Sequence, residues 1–137
     1  MTGIQYLTLD FNPFGNEGLF QLMYVIKNNI TLNYLSLAYC NIDKDGAKHF
    51  KDYLMNPLCN LNVLILTGNP LENPGVNELF QFLFNNNALE SLFLENTRWG
   101  GDDDTLFNFL TLLENNKKLF EYKLKRNYLT DKSIFLY

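Results

Sequence analysis

The sequence predicts an α/β solenoid in which short parallel strands alternate with helices. Three observations support this prediction. An apolar pattern recurs five times, and its copies begin at residues 4, 32, 61, 89 and 119. Each copy opens with alternating apolar residues, which is the period of a short strand. Between copies, apolar residues recur three and four positions apart, which is the period of one helix face.

The third copy shows the strand pattern most clearly. Its defining residues are Leu61, Leu64, Leu66, Asn69 and Leu71. The equivalent positions are Ile4, Leu7, Leu9, Asn12 and Phe14; Leu32, Leu35, Leu37, Cys40 and Ile42; Leu89, Leu92, Leu94 and Thr97; and Leu119, Tyr122, Leu124, Asn127 and Leu129. The spacings between copies are 28, 29, 28 and 30 residues. Such a period predicts stacked repeats that share one core.

The segments between the strands carry helix signals. Their apolar positions are Leu19, Leu22, Met23 and Ile26; Ala47, Phe50, Tyr53 and Leu54; Val76, Leu79, Phe82 and Leu83; and Leu106, Phe109, Leu110 and Leu113. We expect Asp43, Asn73 and one of Asp102, Asp103 and Asp104 to accept hydrogen bonds at helix starts, where Pro74 also fits the first turn. Asparagine runs at residues 28–29, 85–87 and 115–116 indicate helix ends.

These residues, with Gly18, Gly46 and Gly75 early in the helices, resemble leucine-rich repeats of the ribonuclease-inhibitor type. The resemblance covers nearly the whole chain. It implies a curved right-handed superhelix with strands on the concave face and helices on the convex face. It also implies a buried ladder formed by Asn12, Cys40, Asn69, Thr97 and Asn127. Such repeats serve many partners, so the resemblance selects no single function.

The sequence totals argue against several classes of partner. The net charge is -4, from 15 acidic and 11 basic residues, so no overall attraction draws the molecule to nucleic acid. No apolar stretch approaches the length of a membrane span, and the first residues do not resemble a signal peptide. Cys40 and Cys59 lack metal-ligand spacing and are expected to be reduced. We expect a cytoplasmic protein.

Signals for catalysis are absent from the sequence. His49 is the only histidine and falls among charged residues on the expected solvent side of a helix. We find no phosphate-binding loop, nucleophile elbow or zinc motif. The run Asp102–Asp104 lacks the spacing of a calcium loop, and helix capping explains it better. The sequence therefore predicts no catalytic residue, metal, cofactor or small-molecule substrate.

Outward strand residues are the candidates for protein binding. Exposed aromatic residues mark interaction surfaces, whereas strand propensity alone is the alternative explanation. The predicted patch contains Tyr6, Tyr34, Tyr39, Ile65 and Phe93, with Glu95 beside it, and passes to Lys123, Lys125 and Arg126. Trp99 is a further candidate, because it lies in a lengthened loop of the fourth repeat, where Thr105 replaces the helix glycine. The alternative is that Trp99 folds back over the adjacent helix.

We expect one domain of about five repeats. The first pattern begins at residue 4, and the last repeat reaches only a helix start at 130–135. Stacked repeats need covered ends, so a longer solenoid or capping partners are expected. The predicted function is protein–protein binding through the concave face. The alternatives are a structural subunit of a large assembly, for example cytoskeletal or ciliary, and a regulator in trans, such as a small-GTPase activator.

Overall fold

The computed structural model describes residues 3–129 and contains five strands and four α-helices. The strands are β1 (Tyr6–Thr8), β2 (Tyr34–Ser36), β3 (Val63–Ile65), β4 (Ser91–Phe93) and β5 (Glu121–Lys123). The helices are α1 (Gly15–Ile26), α2 (Lys51–Leu54), α3 (Glu72–Leu83) and α4 (Asp103–Asn115). A 3₁₀ turn, Ala47–Phe50, leads into α2. The predicted start of a fifth helix at 130–135 lies outside the described residues.

All five strands form one parallel sheet in chain order, and equivalent residues of each repeat are in register. Each outward side chain therefore lies beside its counterpart in the next repeat. The alternation of side chains turns the repeat leucines toward the helices. Leu35, Leu64 and Leu92 are completely buried, whereas Leu7 and Tyr122 in the edge strands are only partly buried. The predicted α/β leucine-rich-repeat solenoid is confirmed.

The predicted buried ladder is observed in the inner repeats, where Cys40, Asn69 and Thr97 are completely buried. At its ends Asn127 is only partly buried and Asn12 is exposed, so the prediction that Asn12 belongs to a buried ladder is wrong. Asn69 is completely buried, and its Oδ1 accepts hydrogen bonds from the backbone N–H groups of Cys40 and Ile42, both at 3.0 Å. Its Nδ2 donates to the carbonyls of Leu37 at 2.8 Å and Leu66 at 2.9 Å. Asn127 binds Thr97 and Leu94 in the same way. The ladder satisfies backbone groups that the tight turns would otherwise bury unpaired.

The helix ends use a second set of asparagines. Asn86 Oδ1 accepts from the N–H groups of Ala88 and Leu89, and its Nδ2 donates to the Leu54 carbonyl in the preceding repeat at 2.9 Å. Asn116 repeats this arrangement one repeat later and reaches the Leu83 carbonyl at 2.7 Å. These asparagines therefore end one helix and tie it to its neighbour.

Two of the predicted helix starts need correction. Asp102 caps α4 as expected, because its Oδ1 accepts from Thr105 N–H at 2.9 Å. Asn73 lies inside α3 and instead bonds to Gly100 of the next repeat, both as donor and as acceptor. Asp43 accepts from Asp45 N–H and Asn16 Nδ2, in a turn ahead of the 3₁₀ segment. The contact with the next repeat thus takes Asn73 away from its own helix start, whereas Asp43 bonds both within its own turn and to Asn16 of the preceding repeat.

The second repeat has less regular helix than the sequence pattern suggests. Its 3₁₀ turn and the four-residue α2 together replace a helix of three turns. Pro57 disfavours helical backbone at Asn56, which explains the early end after Leu54. In the part of the chain that the structure describes, no helix is long and apolar enough to cross a membrane.

Candidate functional site

The candidate site is the side of the sheet that faces away from the helices, which we call the strand face. Its first row of side chains runs through Tyr6, Tyr34, Val63, Ser91 and Glu121 in register. Its second row runs through Thr8, Ser36, Ile65, Phe93 and Lys123. Backbone bonds continue the ladder past the strands, for example from Gly68 N–H to the Glu95 carbonyl at 2.9 Å. The next outward positions therefore form a third aligned row, which contains Asp10, Ala38, Thr67, Glu95 and Lys125.

A pair of stacked tyrosines occupies the N-terminal end of the strand face. The rings of Tyr6 and Tyr34 lie 4.0 Å apart and are inclined by only 4°. Tyr6 is 64% exposed. A hydrogen bond with the phenol of Tyr6, together with partial burial, raises the pKa of Tyr34 to about 12. Tyr34 is therefore a neutral phenol at physiological pH and offers an apolar ring with a polar tip.

The centre of the strand face combines partly exposed apolar residues with small buried serines. Ile65 and Phe93 are register partners on adjacent strands, and both are partly exposed. Ser36 donates to Asp10 Oδ1 and Ser91 donates to Glu121 Oε1, each at 2.7 Å. These serines are satisfied within the chain. The centre therefore offers a partner mainly apolar surface.

The C-terminal end of the strand face is basic. Lys123, Lys125 and Arg126 are exposed, and Glu95 beside them is partly exposed. Among residues 3–129 the ion pair is between Lys118 and Glu90, at 3.5 Å, so none of these three cations is paired with a carboxylate there. Three cations lie beside two carboxylates, Glu95 and Glu121, so this end carries a net positive charge that can attract an acidic group.

The prediction that Trp99 is a partner-binding residue is wrong for this structure. Trp99 is 0% exposed, and its ring centroid lies 5.5 Å from that of Phe80 and 5.6 Å from that of Phe109. The indole fills the space between α3 and α4, because burial of a large aromatic surface is strongly favourable. The alternative, in which Trp99 folds back over the adjacent helix, is the one observed.

Phe11 was not among the predicted binding residues, although the structure places it at the site. Its ring stacks on Tyr39 with a centroid separation of 5.0 Å and an inclination of 5°, and it is 73% exposed. The pair lies at the margin of the strand face, one residue before the polar ladder. The sequence signal was the equivalence of positions 11 and 39, since both are aromatic in adjacent repeats.

Other reactive groups lie away from the strand face. His49 is partly buried and meets the ring of Phe20 edge-on at 5.2 Å, whereas the sequence suggested a fully solvated side chain. Burial and the charge of Lys48 lower the pKa of His49. Cys40 and Cys59 are free and buried, and burial raises the pKa of both thiols. In the described part of the chain, no three metal-ligating side chains form a group.

Comparison with known proteins supports the fold derived above. A family model described as a leucine-rich repeat matches residues 28–50. A structure titled Leiomodin-1 Actin-Binding Site 2 shares 20% identity and a TM-score of 0.84, covering 98% of this chain and 77% of that one. A Caenorhabditis elegans tropomodulin C-terminal domain shares 15% identity and a TM-score of 0.81, covering 98% and 80%. No curated protein matches in sequence. The chain therefore has the leucine-rich-repeat fold.

Proposed function

We propose that this chain is a non-catalytic module that binds a protein partner in the cytoplasm, mainly through its strand face. The observation that carries the proposal is the line of solvent-facing aromatic and apolar side chains at Tyr6, Tyr34, Ile65 and Phe93. The core lies on the opposite side of the sheet and is built from other residues. Aromatic residues at exposed positions are the usual anchors of protein interfaces.

Strand propensity is the competing explanation for these residues. Aromatic and β-branched side chains pack well across neighbouring strands, and the Tyr6–Tyr34 stack is such a contact. Ser36 and Ser91 occupy the same rows, however, and the strands pair in the same register there. Small polar residues are therefore compatible with this sheet. The two explanations make different predictions for substitutions of these residues. If strand propensity selects them, substitution should lower stability; if binding selects them, substitution should lower affinity for the partner.

The test replaces Tyr34, Ile65 and Phe93 with serine in one chain. A matched control replaces Tyr24, Val25 and Phe107, which are exposed on the helices. Partners are captured from the native source and identified, and the dissociation constant of the purified partner is then measured. The strand-face variant should bind about a hundredfold more weakly, since truncating each anchor costs more than about 1 kcal/mol. Unchanged affinity in that variant, or loss only in the control, would contradict the proposal.

Actin is a second, more specific candidate partner. The observation that favours it is the TM-score of 0.84 to the structure titled as an actin-binding site of leiomodin-1. At 20% identity the likeness carries over no contact residues. Sedimentation with actin filaments and gel filtration with monomeric actin test this candidate, with the strand-face variant as the control. If neither form of actin binds, actin is excluded and the more general proposal is unaffected.

A further inference from the structure

One repeat position has the same unusual backbone in all five repeats. In each repeat, the residue directly after the third row of the strand face has a positive φ. We call these residues the turn row: Phe11 (62°), Tyr39 (56°), Gly68 (78°), Asn96 (53°) and Arg126 (61°). Backbone bonds stack the turns on one another, for example from Phe11 N–H to the Ala38 carbonyl at 2.9 Å and from Asn96 N–H to the Lys125 carbonyl at 3.0 Å.

The residue types in the turn row do not follow the preference of this backbone. Glycine and asparagine adopt left-handed φ readily, and they occupy the third and fourth repeats. Bulky residues adopt it at a cost, and such strain is concentrated at ligand-binding sites. Gly68 and Asn96 show that this fold accepts, at this position, residues that favour the left-handed backbone. Phe11, Tyr39 and Arg126 therefore occupy this position at a backbone cost that glycine and asparagine avoid.

The first two members of the turn row form a prearranged apolar shelf. The rings of Phe11 and Tyr39 are parallel within 5° and 5.0 Å apart. Tyr39 lies flat against Gly68, where an added Cβ would overlap with its ring. Phe11 is 73% exposed on top of the stack. A partner would meet a flat surface that is already ordered, which reduces the entropy cost of binding.

The last member lies beside the unpaired cations of the strand face. Arg126, Lys125 and Lys123 are exposed, and none of them is paired with a carboxylate among residues 3–129. The apolar shelf and the cations therefore lie at opposite ends of the same surface. Four steps between parallel strands span about 19 Å, which about six extended residues can cross.

We infer that the turn row, with Lys123 and Lys125, binds an extended acidic segment of a partner protein. An apolar residue or a proline of that segment lies on the Phe11–Tyr39 shelf, and its carboxylates, about six residues away, meet Arg126, Lys125 and Lys123. Aromatic surfaces bind proline-rich segments by contact with the preformed extended helix. Arginine binds carboxylates through paired hydrogen bonds. This inference rests on the proposed protein-binding function and specifies its partner.

The first experiment uses labelled synthetic peptides and the full chain. One peptide has Leu-Pro-Pro-Leu, then Gly-Ser, then four glutamates, and a second has the blocks in reverse order, because the direction of the bound segment is open. Control peptides replace the glutamates with lysines or the apolar block with Gly-Ser repeats. Fluorescence anisotropy should show binding of one acidic peptide with both blocks, weakened by added salt. Equal binding of the lysine peptide would overturn the inference.

The second experiment uses variants that keep the fold. Asparagine accepts the left-handed backbone, so the test variants are Phe11→Asn, Tyr39→Asn and Arg126→Asn. Each variant should weaken peptide binding about tenfold. None should lower the melting temperature by more than the reference variant Asn96→Ala does. The double variant Lys123→Glu, Lys125→Glu changes only exposed residues and should reverse the preference toward the lysine peptide. Retained preference for the acidic peptide in this double variant would overturn the inference.

Two further comparisons separate the inference from its rivals. Vesicles with phosphatidylserine and a single-stranded oligonucleotide present acidic groups without a polypeptide. Binding of either one as tightly as the peptide would overturn the inference of a protein partner. If the strand-face serine variant loses its captured partner but no acidic peptide binds, this inference fails and the proposed function stands. If the peptide binds and the serine variant keeps its partner, the strand-face proposal fails instead.

Discussion

In this protein, a single side chain can form the hydrogen bonds that stabilise a whole turn. Asn69 is the clearest example. Its Oδ1 accepts two hydrogen bonds and its Nδ2 donates two, all with backbone groups of two adjacent repeats. Only an amide supplies two acceptor and two donor positions in this geometry. Cys40 fills the equivalent position one repeat earlier, where its Sγ contacts the Leu9 carbonyl at 3.2 Å. Asn69 therefore stabilises the turn that contains Cys40 as well as its own turn.

Asn69→Ala should lower the free energy of unfolding by on the order of 3 kcal/mol, because buried donors and acceptors would lose their partners. Asn12→Ala is the matched control, since Asn12 is exposed and its Nδ2 donates, within residues 3–129, to the Leu9 and Asp10 carbonyls only. Its cost should stay below about 1 kcal/mol. Urea denaturation measures both values. Equal costs would show that the buried ladder contributes no more than an exposed turn bond.

Gly68→Ala should destabilise the protein more than Gly15→Ala does. Both glycines have left-handed φ, 78° and 70°, so both substitutions carry a strain of about 1–2 kcal/mol. At Gly68 a Cβ would also overlap with the Tyr39 ring, whereas at Gly15 the nearest atom is the Asn41 carbonyl oxygen at 3.8 Å. The excess should disappear in a Tyr39→Ala background, which a double-mutant cycle measures. A persistent excess would mean that Tyr39 is not the obstacle.

At the scale of elements, the fourth repeat differs from its neighbours in how it fills the space beneath its helix. Thr105 occupies the position of the helix glycines, is completely buried, and accepts a hydrogen bond from Asn77 Nδ2 at 3.1 Å. Trp99 fills the adjoining space against Phe80 and Phe109. Helices α3 and α4 are thus held together by aromatic packing and a polar contact, to which the third repeat contributes Phe80 and Asn77 and the fourth contributes Trp99, Phe109 and Thr105.

Trp99→Ala should cost about 3–5 kcal/mol, the range found when a buried aromatic is truncated. Phe107→Ala changes an exposed aromatic on α4 and should stay within about 0.5 kcal/mol of the parent. Chemical denaturation followed by circular dichroism measures both variants without relying on tryptophan fluorescence. A small cost for Trp99→Ala would place its indole outside the core.

At the scale of the whole molecule, each repeat is stabilised by its neighbours in the stack. Strand β3 pairs on both sides, whereas β1 and β5 pair on one side only among the described residues. Core residues follow the same trend, since Leu64 is completely buried while Leu7 and Tyr122 are partly exposed. Stability in such an array is a sum of repeat and interface contributions.

Hydrogen exchange should therefore be slowest in β3 and its neighbours and faster toward β1 and β5. Local opening of an edge repeat breaks one interface, whereas opening the middle breaks two. Mass spectrometry of peptides covering each repeat gives the order directly. Uniform protection across the five strands would show that the stack opens only as a unit.

The repeat register could be predicted from the sequence because it depends on local pattern. Alternating side chains point to opposite faces of a strand, so a period of 28 to 30 residues aligns the rows of Tyr34, Ile65 and Phe93 without any knowledge of the tertiary structure. The leucine core and the Asn69 ladder follow from the same regularity. The strand-face residues could therefore be named in advance, although their binding role stays a prediction.

The tertiary structure decided the features that depend on residues one repeat away. Whether Trp99 is exposed depends on the space between α3 and α4, and Asn73 bonds to Gly100 rather than capping its own helix. Phe11 and Tyr39 have a left-handed φ in turns whose N–H groups bond to the next repeat. Local periodicity contains no information about such contacts, because they are set by how the stacked turns meet. Sequence thus determined which residues face outward, and packing determined which of them are available to a partner.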